Sequence, residues 1–187
     1  MSETVLFDVD VLRVPGQYWL TIAEKEDADE VINRLAEAAN QIEPGSLGIL
    51  EARPVLINNL RAWENLILPR WYHHSGGLHE HDEILKDLLR AMEVDEEKLV
   101  LMLSKLPGQL DIAQRRVVAF LRVVLQHAPV WVIEDEWLEW WQDARGRNPM
   151  LAKIMQQIVM PNSLLVISTR TAQPNYQVVK MIVEETE

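Results

Sequence analysis

The sequence predicts an α/β protein in which a mainly parallel sheet is flanked by helices. The apolar run Val130–Ile133 and the mostly apolar run Leu164–Ser168 are typical of strands buried on both faces, as in a parallel sheet. Helix-length segments separate the apolar runs, which is the order of elements expected of α/β proteins. The chain has 187 residues, 48% hydrophobic and 25% charged, so we expect a single domain over 1–187.

The first half of the chain is predicted to alternate between strands and helices. A turn at Pro15-Gly16 separates the first two strands, and the first helix ends near Pro44-Gly45. Apolar residues three or four positions apart indicate the helices, and short apolar runs indicate the strands. The predicted elements are strands at Val5–Val14 and Gln17–Ile22, a helix at Asp27–Gln41, a strand at Leu47–Leu50, and helices at Leu60–Leu68, His81–Met92 and Glu96–Leu103.

The second half continues this alternation around the two buried strands. A long helix is predicted at Leu110–Gln126, and Asp111 is placed to cap its N-terminus. The remaining predicted elements are a helical region at Leu138–Val159, interrupted near Gly146 and Pro149, and an edge strand at Tyr176–Val183.

The acidic composition excludes several classes of function. With 18 basic and 29 acidic residues the net charge is −11, so we expect no nucleic-acid partner and no general attraction to anionic lipid. The absence of cysteine excludes disulfides, a thiolate zinc site and a cysteine nucleophile. Neither a secretory signal at Met1–Thr4 nor an apolar stretch of about 18 residues is present. These observations predict a cytoplasmic protein without direct membrane insertion.

The most informative segment runs from Leu106 to Glu136. A turn is followed by the residues Leu110-Asp111-Ile112-Ala113-Gln114, an arginine-rich helix, a proline, and an apolar strand that ends in acidic residues. This order resembles the segment from the signature motif to the Walker B strand of ABC transporter ATP-binding subunits. The resemblance implies that Asp135 and Glu136 hold the places of the magnesium-coordinating aspartate and the general-base glutamate.

The resemblance extends in order from about residue 5 to about residue 170. Gly48-Ile49-Leu50-Glu51 and the helix Leu60–Pro69 resemble the Q-loop strand and the helix that follows it. Val9–Ile22 is similar to the strands leading into the phosphate-binding loop, and Leu165–Arg170 to the strand entering the H-loop. It implies a P-loop NTPase fold with a helical subdomain at about 58–108. Because the hairpin usually found after Pro44-Gly45 is missing, it also implies a reduced N-terminal β lobe.

The loop that would hold the phosphates departs from the family pattern. Such a loop needs glycines, whose backbone N–H groups turn inward, and a lysine. Ala23–Glu30 contains five acids, one lysine and no glycine, and Asp29 and Glu30 stand in the places of the lysine and the magnesium-binding hydroxyl. Two like charges about 4 Å apart repel by about 4 kcal/mol at an effective dielectric constant of about 20. The summed repulsion of several such pairs exceeds the binding free energy of a nucleotide site with a micromolar Kd, which is roughly 8 kcal/mol.

Further family positions have also changed. Glu51 stands at the Q-loop position, and Arg170 stands in the place of the H-loop histidine. At the signature motif, Asp111-Ile112-Ala113 replaces Ser-Gly-Gly, which adds a charge and two side chains where glycine allows close approach. We therefore expect a degenerate ABC ATPase without a Walker A loop: a pseudo-ATPase with no bound cofactor and no enzymatic activity.

Two alternatives remain open. In the first, a residual ATP-binding and ATP-hydrolysing protein uses Asp135 and Glu136 with Mg-ATP. In the second, the segment His73–Asp82 is a metal-binding module for Zn²⁺ or Ni²⁺, because imidazole and carboxylate groups bind these metals. A solvated polar loop is the other explanation for that segment. Its candidate ligands are His73, His74, His79 and His81.

A cluster of three tryptophans follows the acidic strand end, at Trp137, Trp140 and Trp141. Aromatic side chains are enriched in interface cores, so one interpretation is a surface for a partner subunit. The other interpretation is packing within this chain, in space that a nucleotide no longer occupies.

The resemblance also implies partners. We expect a permease subunit of an ABC transporter, a competent ABC ATPase subunit, or both, with a homodimer as a further option. Such partners would place the protein at the inner face of the cell membrane as a peripheral subunit.

Overall fold

A five-stranded parallel sheet forms the centre of the part of the chain that the structure describes, with the strand order β3-β4-β5-β2-β6. The computed structural model describes residues 4–6, 9–24, 27–73, 83, 86, 96–144, 146, 149–180 and 182–184. The strands of this sheet are β2 (Gly16–Thr21), β3 (Leu47–Leu50), β4 (Val130–Glu134), β5 (Ser163–Ser168) and β6 (Gln177–Val179). A second sheet pairs β1 (Thr4–Leu6) with β7 (Ile182–Glu184) in antiparallel orientation.

Helices cover both faces of the parallel sheet. They are α1 (Asp27–Ile42), α2 (Ala62–His73), α3 (Glu96–Leu103), α4 (Ile112–Gln126), α5 (Asp135–Ala144) and α6 (Pro149–Ile154). The last of them continues into a π-helical turn at Met155–Val159. Short 3₁₀ helices lie at Val9–Arg13 and Pro107–Gln109. None of the described helices combines the length and the apolarity that a bilayer crossing requires.

The core has two parts because successive side chains of a strand point to opposite faces of the sheet. On one face, Trp131 and Ile133 of β4 pack with buried residues of α2, α4 and α5. On the other face, Val132 packs with Tyr18 and Leu20 of β2 and with the buried residues of α1. All six residues of β5 are buried, as the continuous apolar run predicted. The predicted fold class, a mainly parallel sheet flanked by helices, is confirmed.

Helix α4 approaches β3 very closely at Gly48. A Cβ atom at this position would lie 2.1 Å from Cγ1 of Val123 and 3.2 Å from Cβ of Ala128. Only a residue without a side chain allows this contact between helix and strand, so Gly48 sets the depth at which α4 lies on the sheet.

The segment between β3 and α2 is fixed by the buried side chain of Asn65. Its Oδ1 accepts a hydrogen bond from the backbone N–H of Ile57 at 2.7 Å. Its Nδ2 donates to the backbone carbonyls of Ile57, Leu60 and Arg61 at 3.1–3.2 Å. A single side chain thus positions the turn that leads from the sheet into α2.

The prediction of two consecutive strands at Val5–Val14 and Gln17–Ile22 is wrong for the first. Thr4–Leu6 pairs with β7, and Val9–Arg13 is a 3₁₀ helix whose Leu12 is buried. The physical reason is that β2 already pairs with β5 on one side and β6 on the other. No edge of β2 remains for the preceding segment.

Most of the other predicted boundaries agree with the structure, and some differ. The predicted edge strand at Tyr176–Val183 divides into β6, at the edge of the parallel sheet, and β7 in the second sheet. The predicted helical region at Leu138–Val159 begins earlier, at Asp135, directly after β4. The helix predicted at His81–Met92 lies outside the described residues, apart from Glu83 and Lys86.

Candidate functional site

The carboxyl ends of the parallel strands bring several of the predicted site residues to one edge of the sheet, where ligands of open α/β sheets bind. Glu51 directly follows β3, Asp135 follows β4, and Arg170 lies two residues beyond β5. The predicted positions Asp29 and Glu30 lie in the first turn of α1, which follows β2. The structure therefore places these positions from distant parts of the sequence along a common edge.

The N-terminus of α1 is occupied by acidic side chains of the chain itself. Its first turn holds Asp27, Asp29 and Glu30, which are favourable there because the helix dipole is positive at this end. Oδ2 of Asp27 accepts a hydrogen bond from the backbone N–H of Glu24 at 3.0 Å, and Glu30 forms an ion pair with Arg34. An amide of the β2–α1 connection thus already has a carboxylate partner.

A cleft of about 700 Å³ lies beside this helix end. Its apolar lining comes from the β2–α1 connection, α1 and the edge strand β6, and its charged lining carries both signs. The lining residues are Thr21, Ile22, Ala23, Asp27, Glu30, Val31, Arg34, Val178, Val179 and Lys180.

Asp135 is held in a network of polar contacts at the ends of β4 and β5. The hydroxyl of Ser168 donates a hydrogen bond to Oδ2 of Asp135 at 2.7 Å, and the same hydroxyl oxygen accepts from the backbone N–H of Arg170 at 2.9 Å. Nε of Arg170 lies 3.7 Å from the same carboxylate oxygen, and its Nη1 pairs with Glu139. These contacts raise the pKa of Arg170, mainly through Glu139 and then through Asp135.

The main chain at Arg170 is fastened to β2. Its carbonyl accepts hydrogen bonds from Nε1 of Trp19 at 3.0 Å and from the hydroxyl of Thr21 at 3.3 Å. The ring of Trp19 packs edge-on against Tyr176, with 5.2 Å between the ring centroids, and burial raises the pKa of the Tyr176 phenol. The residue in the H-loop position is therefore positioned by its backbone as well as by its side chain.

Glu134, the last residue of β4, contacts the segment that follows β3. Its Oε2 accepts a hydrogen bond from the backbone N–H of Ala52, and the carbonyl of Ala52 accepts from Nε of Arg116 at 2.9 Å. Burial lowers the pKa of Arg116, and the charges of Glu136 and Glu134 oppose that shift. A residue of α4 thus links the strand-end acids to the Q-loop position.

Glu51, in the Q-loop position, is part of the same segment. Its Oε2 accepts a hydrogen bond from the backbone N–H of Val55 at 3.4 Å, and Nη1 of Arg122 donates to the carbonyl of Val55 at 3.2 Å. Burial lowers the pKa of Arg122, and the charge of Glu51 opposes this effect. Two arginines of α4 therefore fix the chain between Glu51 and Val55.

The signature positions form the N-terminal cap of α4. Asp111 accepts a hydrogen bond from the backbone N–H of Gln114 at 2.8 Å, and the Gln114 side chain accepts from the N–H of Asp111 at 3.2 Å. This reciprocal pair is a capping box. Leu110 is buried in the core, Ile112 is exposed, and Ala113 is half-buried. The predicted cap at Asp111 is confirmed.

A second cleft, of about 690 Å³, brings a signature position together with a strand-end acid. Glu136 and Ile112 both line it, and the guanidinium of Arg116 lies over the ring of Trp140, 5.6 Å from its centroid. The lining residues are Arg53, Ile112, Arg116, Glu136, Glu139, Trp140, Gln142 and Asp143.

The tryptophan cluster packs mainly inside the chain. Trp137 is fully buried, and its ring lies 5.5 Å from Phe120 and 5.4 Å from Trp140, measured between centroids. Trp141 is also buried, and Trp140 is partly buried. A partner interface is therefore the wrong interpretation of Trp137, which fills the space between α5 and α4.

The proposed metal ligands His74, His79 and His81 lie outside the described residues. His73 is the last residue of α2. Within the described part of the chain, no group of three or more histidine, aspartate or glutamate side chains is arranged to hold a metal ion.

Several residues of the site were not found from the sequence. Ser168, Glu139 and Arg116 make contacts to the predicted positions. Ser168 could have been found as the polar residue that ends a buried strand, and Glu139 by its spacing of four from Asp135 on one helix face. No sequence signal indicates the hydrogen bond from Arg116 to the carbonyl of Ala52.

No protein-family model matches the chain. In sequence, the chain is similar to the cytochrome c biogenesis ATP-binding export protein CcmA of Histophilus somni (strain 129Pt), with 25% identity over 127 residues. The match covers 67% of this chain and 53% of that protein. The chain therefore matches about half the length of this curated relative.

Solved structures share the fold. The dimeric bacterial ABC transporter cassette MJ0796 has a TM-score of 0.62 at 15% identity, over 89% of this chain and 82% of its own. Its post-hydrolysis state bound to ADP and Pi gives 0.57 at 15% identity, over 84% and 76%. The protein cbiO1 of Clostridium perfringens, part of the ABC transporter complex cbiONQ, gives 0.56 at 11% identity, over 89% and 74%. Sequence and fold thus confirm the resemblance to ABC transporter ATP-binding subunits.

Proposed function

We propose that this chain is an ABC-ATPase-like subunit that has lost ATP binding and hydrolysis and acts as a structural or regulatory subunit. The observation that carries the proposal is the N-terminus of α1. Phosphates of P-loop proteins bind at the N-terminus of the helix after the loop, where backbone N–H groups and the helix dipole attract anions. Here Asp27, Asp29 and Glu30 already supply negative charge at that helix end.

The β2–α1 connection supports the same conclusion. Only residues 22–26 separate Thr21 from Asp27, and none of them is a glycine. The N–H of Glu24 donates to the Asp27 carboxylate, so the chain itself uses an amide that could otherwise face a phosphate. A triphosphate would have to displace this carboxylate and approach two further acids against their repulsion.

The other nucleotide-contacting positions are also engaged within the chain. Oδ2 of Asp135 accepts a hydrogen bond from the Ser168 hydroxyl and also lies near the Arg170 guanidinium. A hydrogen-bond donor and a positive charge at this oxygen disfavour a magnesium ion there. Asp111 and Gln114 are used as a helix cap, and Ile112 places an exposed apolar side chain where the family has glycine. Together these contacts favour a non-catalytic protein that retains the family fold.

Partners follow from the resemblance. A competent ABC ATPase, a permease subunit or a second copy of this chain would give the subunit a role without its own ATP turnover. The MJ0796 cassette is dimeric, and cbiO1 is part of the ABC transporter complex cbiONQ. We therefore propose that the chain acts at the cytoplasmic face of a membrane transporter, and not on nucleic acid.

A thermal melt with Mg-ATP tests the proposal. A ligand present at 100 times its Kd stabilises a protein by about 2.7 kcal/mol, which a melting curve detects. We expect no shift at millimolar Mg-ATP beyond that produced by MgCl₂ with an inorganic salt of equal ionic strength. The tryptophan emission of the chain, to which Trp19 in β2 contributes from a position before the acidic loop, should also stay constant. A saturable, Mg²⁺-dependent shift in either signal would overturn the proposal.

The alternative is residual ATP hydrolysis through Asp135 and Glu136. One observation favours it: Glu136 lines the 690 Å³ cleft together with Arg53 and Arg116, whose charges attract phosphate. This alternative predicts a Mg²⁺-dependent ATPase activity that Glu136→Gln abolishes and that Glu97→Gln, on an exposed residue of α3, leaves unchanged. Equal background rates in the wild type and both variants would exclude it.

A further inference from the structure

We propose that Arg170 supplies, from within the chain, the positive charge that a divalent cation would otherwise provide at the end of β4. The inference rests on the proposed function, since it explains how a strand end rich in carboxylates is kept stable without Mg-ATP. It assigns to Arg170 a role of internal counter-cation for the acids of α5.

The guanidinium of Arg170 spans two carboxylates on one face of α5. Nη1 pairs with Glu139, and Nε lies 3.7 Å from Oδ2 of Asp135. These two acids are four positions apart, so they lie one turn apart on the same face of the helix. A single planar cation with several donors is suited to bridge them, because its N–H groups point in fixed directions.

The backbone of Arg170 is positioned so that the side chain reaches α5. Its N–H donates to the Ser168 hydroxyl, and its carbonyl accepts from Trp19 and Thr21 of β2. The Ser168 hydroxyl donates in turn to Asp135, so the same residue that orients Arg170 also orients the acid. The side chain of Arg170 is largely exposed, but its attachment point is fixed on the sheet.

Arg170 and Arg116 both interact with the acids at the end of β4 and the start of α5, and Arg53 and Asp143 line the same cleft as Glu136 and Glu139. Arg170 interacts with Glu139, Asp135 and Glu136, which together raise its pKa. Arg116, on α4, interacts with Glu136 and Glu134. Two guanidinium groups of the chain therefore offset part of the negative charge of four carboxylates. Carboxylate oxygens are the ligands that Mg²⁺ prefers, and here arginines hold the positions of a cation.

The proposal is tested with Arg170→Gln in nucleotide-free, chelator-treated protein. The matched control is Arg13→Gln, because Arg13 pairs with Asp10 at 2.6 Å and its side chain has the same exposed fraction as that of Arg170, 61%. Melting temperatures are compared in MgCl₂ and in KCl of equal ionic strength. We expect Arg170→Gln to lower the melting temperature by about 2 °C. Mg²⁺ should restore at least half of this loss and KCl should not.

For the wild type and for Arg13→Gln, we expect the same melting temperature in MgCl₂ as in KCl. The proposal is overturned if Arg170→Gln has the same melting temperature as Arg13→Gln. It is also overturned if MgCl₂ and KCl change the melting temperature of Arg170→Gln by the same amount. The double variant Arg170→Gln with Glu139→Gln should lose most of the Mg²⁺ response, because it lacks one of the acids that the cation balances. If Arg170→Gln does not fold, Arg170→Lys is used instead. Because lysine keeps the positive charge, we expect no Mg²⁺-specific gain in melting temperature, and such a gain would overturn the proposal.

These measurements use Mg²⁺ alone. Binding of Mg-ATP by the wild type would therefore end the proposed function without deciding the role of Arg170. In the same way, a failure of the Mg²⁺ test would not decide whether the chain binds ATP, which the melt with Mg-ATP tests separately.

Discussion

The hydroxyl of Ser168 donates a hydrogen bond to the carboxylate of Asp135, with 2.7 Å between Oγ and Oδ2. Ser168 ends β5 and is buried, and Asp135 begins α5 directly after the neighbouring strand β4. The bond therefore joins the end of β5 to the start of α5 at the carboxyl edge of the sheet, where ligands of open α/β sheets bind. It also fixes the carboxylate that Arg170 approaches from solvent, so sheet, helix and cation form one polar network.

Replacement of Ser168 by alanine should lower the free energy of unfolding by about 1.5–3 kcal/mol. A hydrogen bond to a charged group is stronger than a neutral one, and its loss leaves a partly buried carboxylate with fewer donors. Chemical denaturation measures the change. Thr169→Ala, on the exposed neighbour, is the control and should change stability by less than about 0.5 kcal/mol. Equal effects of the two substitutions would show that the Ser168–Asp135 bond contributes nothing.

Asn65→Ala should be among the most destabilising substitutions in the chain. It removes four hydrogen bonds and leaves the backbone N–H of Ile57 without its side-chain partner. We expect a loss of about 2–4 kcal/mol in the free energy of unfolding. Asn33→Ala removes the same side chain from an exposed position of α1 and should be nearly neutral. A loss at Asn65 no greater than at Asn33 would contradict the role given to its side chain.

Gly48→Ala should destabilise the protein by about 1–3 kcal/mol, because the new methyl group would overlap Val123 of α4. Gly108→Ala is the matched control, since a Cβ there meets no atom within 4 Å. The two variants are compared by their midpoints in urea at equal slope. A midpoint for Gly48→Ala equal to that of Gly108→Ala would mean that α4 does not lie as close to β3 as described.

Asp111→Ala should lower the free energy of unfolding by about 1 kcal/mol through the loss of the cap of α4. Asp111→Ser should retain most of this stability, because serine is also a good N-cap, and it restores the residue type of the family's signature motif. We expect it to leave Mg-ATP binding undetectable, since the α1 acids remain. Gain of ATP binding in Asp111→Ser would show that the signature position, and not the β2–α1 connection, prevents binding.

Much of the fold could be predicted because its strands carry strong local patterns. The buried runs in β4 and β5 and the helical spacing in α1 and α4 gave boundaries within a few residues of those observed. The segment at Val9–Arg13 was predicted incorrectly because its apolar residues fit a strand equally well. Only the pairing of β2 on both edges, which depends on residues more than 140 positions away, decides against a strand there.

The sequence predicts which residues stand at the candidate site, but it does not predict the contacts that these residues make. The acids and the arginine that stand in the family's places could be named from the order of motifs. The contacts of these residues were not evident from the sequence. Asp111 and Gln114 form the N-terminal cap of α4, and Arg170 forms ion pairs with Glu139 and Asp135. These contacts depend on side-chain directions at the ends of neighbouring strands, which the tertiary structure determines.

The central claim, that the acidic end of α1 has replaced a phosphate site, is tested most directly by calorimetric titration of the wild-type chain with Mg-ATP. An intact ABC ATPase cassette under the same conditions is the positive control. We expect heats of dilution only, with no saturation up to millimolar nucleotide. A saturable isotherm with a Mg²⁺ requirement, at one site per chain, would contradict it and would return Asp135 and Glu136 to the role of working residues.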